Sequence, residues 1–170
     1  MKASEQFRVN EDGVTADGYR ALDPAAKKAM YLAAVIEIAI LAVIMAVAWV
    51  YLVDGPEWIR TVVVIALAIL IVILTVYPSV YYARYCYRID DEKVEVRKGV
   101  IIISHSLIPI ERIHQVTVTV GPINGLFGLA DVNIITAGGS DSIEHLKNDV
   151  AESIAARLNE VVVGILKERD

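Results

Sequence analysis

The chain has 170 residues, a formal net charge of −5 and a hydrophobic fraction of 56%. A chain of this length holds one ordinary domain and a small appendage, which excludes a multidomain enzyme. The mean hydropathy of +0.53 exceeds that of ordinary soluble domains, and the acidic balance without a basic stripe excludes a nucleic-acid-binding protein.

Residues 1–22 form a polar segment with no sustained hydrophobic period. Such a pattern predicts a flexible or loosely ordered tail. Asp23 and Pro24 follow it, and they predict a helix start, because Asp can cap free backbone N–H groups and Pro fits the first helical position.

Two apolar runs dominate residues 23–83, and they predict a transmembrane helical hairpin. Between Met30 and Val53 the only acidic or basic side chain is Glu37, and the stretch Thr61–Val80 has none. Each run is long enough to cross a hydrocarbon core of about 30 Å. The connection Asp54–Glu57 is too short for anything but a tight turn, so the helices must be antiparallel neighbours. A buried hairpin in a soluble protein would need a far larger partner domain to cover it.

The distribution of Lys and Arg predicts the orientation of this hairpin. Basic residues are more frequent at the two outer ends of the hairpin than in the loop between the helices. They are Arg20, Lys27 and Lys28 before the first helix, Arg84 and Arg88 after the second, and Arg60 near the loop. The positive-inside tendency places the more basic side in the cytoplasm. We therefore expect a multi-pass protein of the cell membrane with both termini in the cytoplasm.

Residues 84–170 change to a period of two and predict a small cytoplasmic domain of antiparallel strands. Val94 and Val96 alternate with Glu95 and Arg97, as in a half-buried strand, and we expect a further strand over Val100–Ile108. From residue 150 the apolar side chains recur every three or four positions, which predicts an amphipathic helix. The expected fold is α+β, with a curved sheet or partial barrel that the C-terminal helix covers.

An ordered set of short segments around and after the hairpin resembles the membrane-anchored bacterial pleckstrin-homology-like (PH-like) family. These segments are Leu22–Pro24, Tyr85–Ile89, Val96–Gly99, Ile108–Ile113, Gly125–Ala130 and Thr136–Gly138. The resemblance implies a PH-like antiparallel β-barrel with a C-terminal helix. It implies a binding and assembly module without catalytic activity.

The titratable side chains form no recognisable catalytic or metal-binding motif. The histidines, His105, His114 and His145, are spaced too widely for a compact ligand set. Cys86 lies in a predicted strand and the serines lack a nucleophile elbow. Glycines such as Gly125 are expected to mark turns and not phosphate cradles. We therefore expect no enzyme activity, no metal and no cofactor.

Two groups of residues are candidates for contact with lipid or protein. Five cations could meet anionic lipid, with simple anchoring of the orientation as the alternative: Arg84, Arg88, Arg97, Lys98 and Arg112. The acidic turn at residues 90–92 argues against phosphoinositide binding, because its carboxylates would repel the headgroup. Within the first helix Glu37, Ala33, Ala42 and Ala46 are candidates for contact with another helix. Snorkelling of Glu37 towards water, or transfer of an ion or proton, remain alternatives.

The leading hypothesis is a non-enzymatic membrane-anchored interaction or assembly module at the inner face of the cell membrane. Its partners would be the lipid bilayer and a second copy or a related membrane subunit. The rival hypothesis is a sensor or carrier of lipid or another small amphiphile at the membrane surface.

Overall fold

The two apolar runs form two long antiparallel helices, as predicted. The structure, a computed structural model, describes residues 7, 9–10, 13–52 and 55–169, without the side chains of 51, 52 and 165–169. Helix α1 spans Pro24–Leu52 and helix α2 spans Glu57–Ala83. Parts of the predicted tail (1–6, 8, 11 and 12), the end of the first apolar run (53) and the start of the predicted turn (54) lie outside the described residues.

Local chemistry explains where α1 begins and how the helices meet. The Asp23 carboxylate accepts a hydrogen bond from the Ala25 backbone N–H at 2.9 Å, which confirms the predicted cap. Tyr31 of α1 and Ser79 of α2 share a hydrogen bond of 2.6 Å between their hydroxyl oxygens. The most apolar stretches of the helices are 6% and 0% buried, so the described remainder of the chain does not cover them.

Seven strands, one 3₁₀ turn and two more helices make up the rest of the described chain. Strands β1 to β4 form one antiparallel sheet in that order, and β5 to β7 form a second. The strands are β1 Arg20–Ala21, β2 Cys86–Ile89, β3 Lys93–Lys98, β4 Ser104–Pro109, β5 Ile113–Thr119, β6 Leu129–Thr136 and β7 Gly139–Lys147. The 3₁₀ turn is Ile110–Arg112, and the helices are α3 Pro122–Leu126 and α4 Asn148–Arg169.

The core lies between the two sheets and α4. Val94 and Val96 of β3 are fully buried, as the alternation of that strand predicts. Ile134 of β6, Ile143 of β7 and Leu158 of α4 join them in one hydrophobic cluster. The C-terminal helix therefore covers the sheets as predicted, since burying one apolar face of a helix on a sheet removes both from water.

The predicted PH-like fold is confirmed, but its two sheets remain separate and do not close into a barrel. Strands β4 and β5 belong to different sheets, and the 3₁₀ turn stands between them. Pro109 has no backbone N–H to continue the ladder. The next N–H, that of Ile110, donates to the carbonyl of Glu92 at 2.9 Å, so it bonds to the first sheet's side and not to β5.

Two predicted local elements also differ from the structure. The expected strand over residues 100–108 begins only at Ser104, because Gly99 adopts a φ of +142° and the chain folds back on itself before β4. Gly125, expected to mark a turn, lies within α3, which begins at Pro122.

The prediction of a loosely ordered tail is wrong for residues 13–22. Strand β1 pairs with β2 through Arg20 opposite Tyr87 and Ala21 opposite Cys86. Tyr19 is only 2% exposed, and Leu22 is also buried. Burial of these two side chains stabilises the tail on the edge of the first sheet.

The base of the hairpin shares its hydrophobic core with the sheets. Ala26, Ala29 and Met30 of α1 are buried in the same cluster as Tyr85 and Tyr87. Helix α1 also contacts α3. The hairpin is thus joined to the domain through packed side chains as well as through the chain.

Candidate functional site

The junction between α2 and the domain contains a network of tyrosines and charged residues. Arg84 follows α2 directly, and its guanidinium donates to the carbonyl oxygen of Val100. Lys98 lies 3.3 Å from the Asp141 carboxylate and 3.1 Å from the Glu144 carboxylate. Burial opposes a positive charge on Lys98, but the two carboxylates dominate and raise its pKa. The end of β3 is thereby held to β7.

Two tyrosines connect this network to the hairpin. The Tyr81 hydroxyl of α2 donates to the Glu144 carboxylate at 3.2 Å. The Tyr85 hydroxyl accepts the backbone N–H of Glu144 at 2.8 Å. Burial raises the pKa of Tyr85 far above its usual value, so the phenol stays neutral. The arrangement fixes the angle between helix and sheet and presents no nucleophile.

A second polar cluster binds the N-terminal segment to the first sheet. The Tyr19 hydroxyl donates to the carboxylate of Glu95, which is only 4% exposed. Lys93 and His105 approach the same carboxylate at 2.6 Å and 3.2 Å. The guanidinium of Arg97 stacks on the Tyr19 ring, 3.8 Å from its centroid.

This environment keeps Glu95 ionised and Tyr19 neutral. Burial alone would raise the pKa of Glu95, but hydrogen bonds from Lys93, Tyr19 and His105 outweigh it and lower the pKa to about 2. Burial and the bond to Glu95 raise the pKa of Tyr19 to about 12. We call this cluster, formed by Tyr19, Lys93, Glu95, Arg97 and His105, the ionic clasp, because it holds the tail on the first sheet. The alternation of β3 predicts a solvent-facing Glu95, and the tail covers it instead.

A third cluster positions α3. The Asn124 side-chain amide donates to both carboxylate oxygens of Asp131 at 3.0 Å. The backbone N–H of His145 donates to Asp131 at 2.7 Å, and the His145 ring Nδ1 lies 2.8 Å from the Asn124 amide oxygen. His145 has a φ of +57°, which is uncommon for a residue with a side chain. Sequence reasoning missed this cluster because its members are far apart in the chain.

The predicted histidine candidates do not converge. His105 lies on β4 at the edge of the first sheet, and His145 belongs to the α3 cluster. Within the described ranges no group of three or more His, Cys, Asp or Glu side chains could hold a metal ion. Burial raises the pKa of Cys86 to about 11, so its thiol is a poor nucleophile at neutral pH.

A cavity of about 470 Å³ lies between the tail, β2 and α4. Its charged lining includes Arg88 and Arg157, but both meet acidic side chains. Arg88 lies 2.9 Å from the Asp90 carboxylate, and Arg157 pairs with Asp91. The acidic β2–β3 turn thus offsets the charges of Arg88 and Arg157, while Arg20 lines the same cavity together with Asp90 and Asp149.

The five cations predicted to contact lipid are not brought together as one patch. Arg84 and Lys98 lie at the junction, where Val100, Asp141 and Glu144 engage them. The remaining three lie elsewhere: Arg88 and Arg97 flank the tail, and Arg112 is exposed in the 3₁₀ turn.

The predicted helix-contact residues lie on different sides of α1. Glu37 is exposed, while Ala33 is half-buried one turn before it. Ala46 follows Glu37 by nine residues, which is about 2.5 turns, so it lies on the opposite side. Ala42 is exposed near Ala46. One partner helix therefore cannot contact all four residues.

Comparisons with known proteins agree with this architecture. The model of a family described as "Bacterial PH domain" matches residues 21–162. The chain is 28% identical over 114 residues to the UPF0699 transmembrane protein YdbT of Bacillus subtilis (strain 168), covering 67% of this chain and 23% of that protein. It is 26% identical over 84 residues to the UPF0699 transmembrane protein YdbS of the same organism, covering 49% of this chain and 53% of that one. The matches thus span about half or less of either relative, and no solved structure matches significantly. With a family match over most of its length, two apolar spans and transmembrane relatives, this membrane protein belongs to the bacterial PH domain family.

Proposed function

We propose that the protein is a non-enzymatic assembly module, anchored in the cell membrane by its hairpin with both termini in the cytoplasm. Its partner is a second copy or a related membrane subunit of the same family. The hairpin assigned to 23–83 anchors the PH-like domain of 84–170 at the inner membrane surface.

The observation that carries this proposal is the position of Glu37. Its side chain is exposed on α1 within a span of apolar residues, so α2 does not cover it. Glu37 lies six residues beyond Tyr31, or about 9 Å further along the helix axis. A carboxyl group at that depth is costly unless another polar group hydrogen-bonds to it. A neighbouring transmembrane helix can supply that group.

The neighbours of Glu37 on α1 define the face that would contact the partner. Ile44 follows Glu37 by seven residues, about two turns, and is 58% exposed. We call Glu37 and Ile44 the carboxyl face. Ala46 lies on the opposite side of the helix and is also exposed. Both faces lie outside the contact with α2, so they can be tested separately.

Site-specific photocrosslinking in native membranes tests the proposal. A photoreactive residue at Ile44 should give an adduct with a second tagged copy or with a PH-family subunit identified by mass spectrometry. The same residue at Ala46 is the matched control and should give much less. Absence of such an adduct at Ile44, or equal yields at the two positions, contradicts the proposal.

The Glu37 side chain itself supplies the second measurement. Glu37→Gln keeps the ability to hydrogen-bond across the contact, so its crosslinking yield should stay close to wild type. Glu37→Leu removes that bond, which is worth about 0.6–1.7 kcal/mol in a membrane, and should weaken association about three- to twentyfold. Equal association of the Leu and Gln variants would show that the carboxyl group is not part of the contact.

The rival function, lipid sensing through basic residues, has less support. The chain itself engages Arg84, Arg88 and Lys98 through a carbonyl or carboxylates, and Arg97 lies on the Tyr19 ring 3.6 Å from Asp17. Cations that are already paired contribute less to the attraction of anionic lipid.

A further inference from the structure

The loop between β3 and β4 exposes two large apolar side chains next to each other. Ile101 is 93% exposed and Ile102 is 82% exposed. Single apolar side chains are common on protein surfaces, but adjacent isoleucines with almost no protein contact leave a substantial apolar area in water. The hydrophobic effect favours any arrangement that removes this area from water.

The backbone of this loop is held in one shape. Gly99 has a φ of +142°, in a region that side chains disfavour. A Cβ atom at Gly99 would stand 2.0 Å from the carbonyl oxygen of Ile102. This close approach closes the loop, and it leaves the isoleucine side chains pointing outward. The exposure is therefore a property of a defined turn.

The loop lies beside the point where α2 leaves the membrane. The guanidinium of Arg84, the residue after α2, donates to the carbonyl oxygen of Val100. Helix α2 has 27 residues and is about 40 Å long, which exceeds a hydrocarbon core of about 30 Å. One or both ends of α2 therefore reach into the headgroup regions. Arg84 fixes the loop close to the same level.

We propose that Ile101 and Ile102 insert into the interfacial region of the bilayer that the hairpin crosses. The occupant of this apolar surface is lipid, because the bond from Arg84 to Val100 places the loop beside the end of α2, an apolar span long enough to cross a membrane. The domain then touches the membrane through its own loop in addition to the hairpin. Burial of one isoleucine shifts the balance between inserted and free loop by about tenfold or more.

The test uses the full chain in lipid nanodiscs with an environment-sensitive fluorophore on a single introduced cysteine. Ile101→Cys and Ile102→Cys are the probe positions, and the buried Cys86 stays unlabelled. Glu92→Cys is the matched control, because Glu92 is exposed and lies at the other end of β3, about 20 Å away. Quenching of the fluorescence by lipids that carry a spin label at headgroup depth reports contact with the bilayer. Quenching by iodide reports contact with water.

Insertion predicts a blue-shifted emission at 101 and 102, quenching by spin-labelled lipid, and several-fold weaker quenching by iodide than at 92. With the probe at 102, Ile101→Ser should lower the inserted fraction, whereas Ile101→Leu should preserve it. Equal iodide quenching at 102 and 92 overturns the proposal. A blue shift without lipid quenching also overturns it, because a protein surface would then cover the loop.

Discussion

The ionic clasp around Glu95 makes a quantitative prediction about stability and pH. The pKa of Glu95 falls from its usual 4.5 to about 2 in the folded protein. At 1.36 kcal/mol per pH unit, the contribution of ionised Glu95 to the free energy of unfolding has an upper limit of about 3 kcal/mol. Lys93 is partly exposed to water, which screens its charge, so we expect about 2 kcal/mol.

The direction of the pH dependence follows from which state holds the proton more tightly. The unfolded chain binds a proton at Glu95 with a pKa near 4.5, and the folded chain binds it only near pH 2. The contribution is therefore complete above pH 4.5 and is lost as the pH falls through about 2. Glu95→Gln should remove this part of the acid sensitivity and lower the free energy of opening at pH 7 by about 2 kcal/mol.

The single cysteine provides the assay. Cys86 is buried in β2, between β1 and β3, so a thiol reagent reaches it only when this part of the sheet opens. Labelling with dithiodipyridine between pH 2.5 and 7, divided by the rate for the denatured chain at each pH, gives the opening free energy. The exposed Glu152→Gln serves as the matched control. If Glu95→Gln and wild type lose protection in parallel as the pH falls, the assignment of the clasp is refuted.

Two further predictions concern the domain. Gly99→Ala should destabilise it by about 2 kcal/mol, because the new methyl group collides with the Ile102 carbonyl. Gly121 has open space around it at a φ of −74°, so Gly121→Ala should change the opening free energy in the same assay by less than about 1 kcal/mol. Equal effects of the two substitutions would contradict the strained-turn argument. Asn124→Ala removes the donor to Asp131 and should lower the free energy of unfolding by about 1–3 kcal/mol. A thermal unfolding experiment should then show a lower midpoint. An unchanged midpoint would show that the cluster does not hold α3 in place.

The sequence predicts the elements that rest on regular patterns. The hairpin follows from long stretches without charge, and β3 follows from the alternation of Val94 and Val96 with polar neighbours. Helix α4 follows from its apolar spacing. These patterns are local, and the driving force they reflect, burial of one apolar face, acts in the same way in every context.

The differences arise where a distant residue or a single glycine decides the outcome. The alternation of β3 predicts that Glu95 faces solvent. Its carboxylate is buried because Tyr19 of the tail, 76 residues away in the chain, bonds to it. The run from Val100 to Ile103 has strand composition, but the backbone of Gly99 turns it into an exposed loop.

The candidate site residues show a further limit of spacing arguments. Residues that are near one another in a helix sequence need not share a face, as Glu37 and Ala46 show. The charges of Arg84 and Lys98 suggest a lipid-facing surface until their carbonyl and carboxylate partners are known. The fold decides which side chains lie next to a cation, so the amino-acid composition does not predict its partners.

The shared core at the base of the hairpin has a mechanical consequence. Only Leu22 and Asp23 separate β1 from α1, and only Arg84 and Tyr85 separate α2 from β2. With α1 packed into the domain core, the chain has no hinge at this junction. A bilayer thinner than the hairpin is long makes the helices tilt. The far end of the sheet must then move with them, so a change in membrane thickness displaces the domain that the hairpin carries.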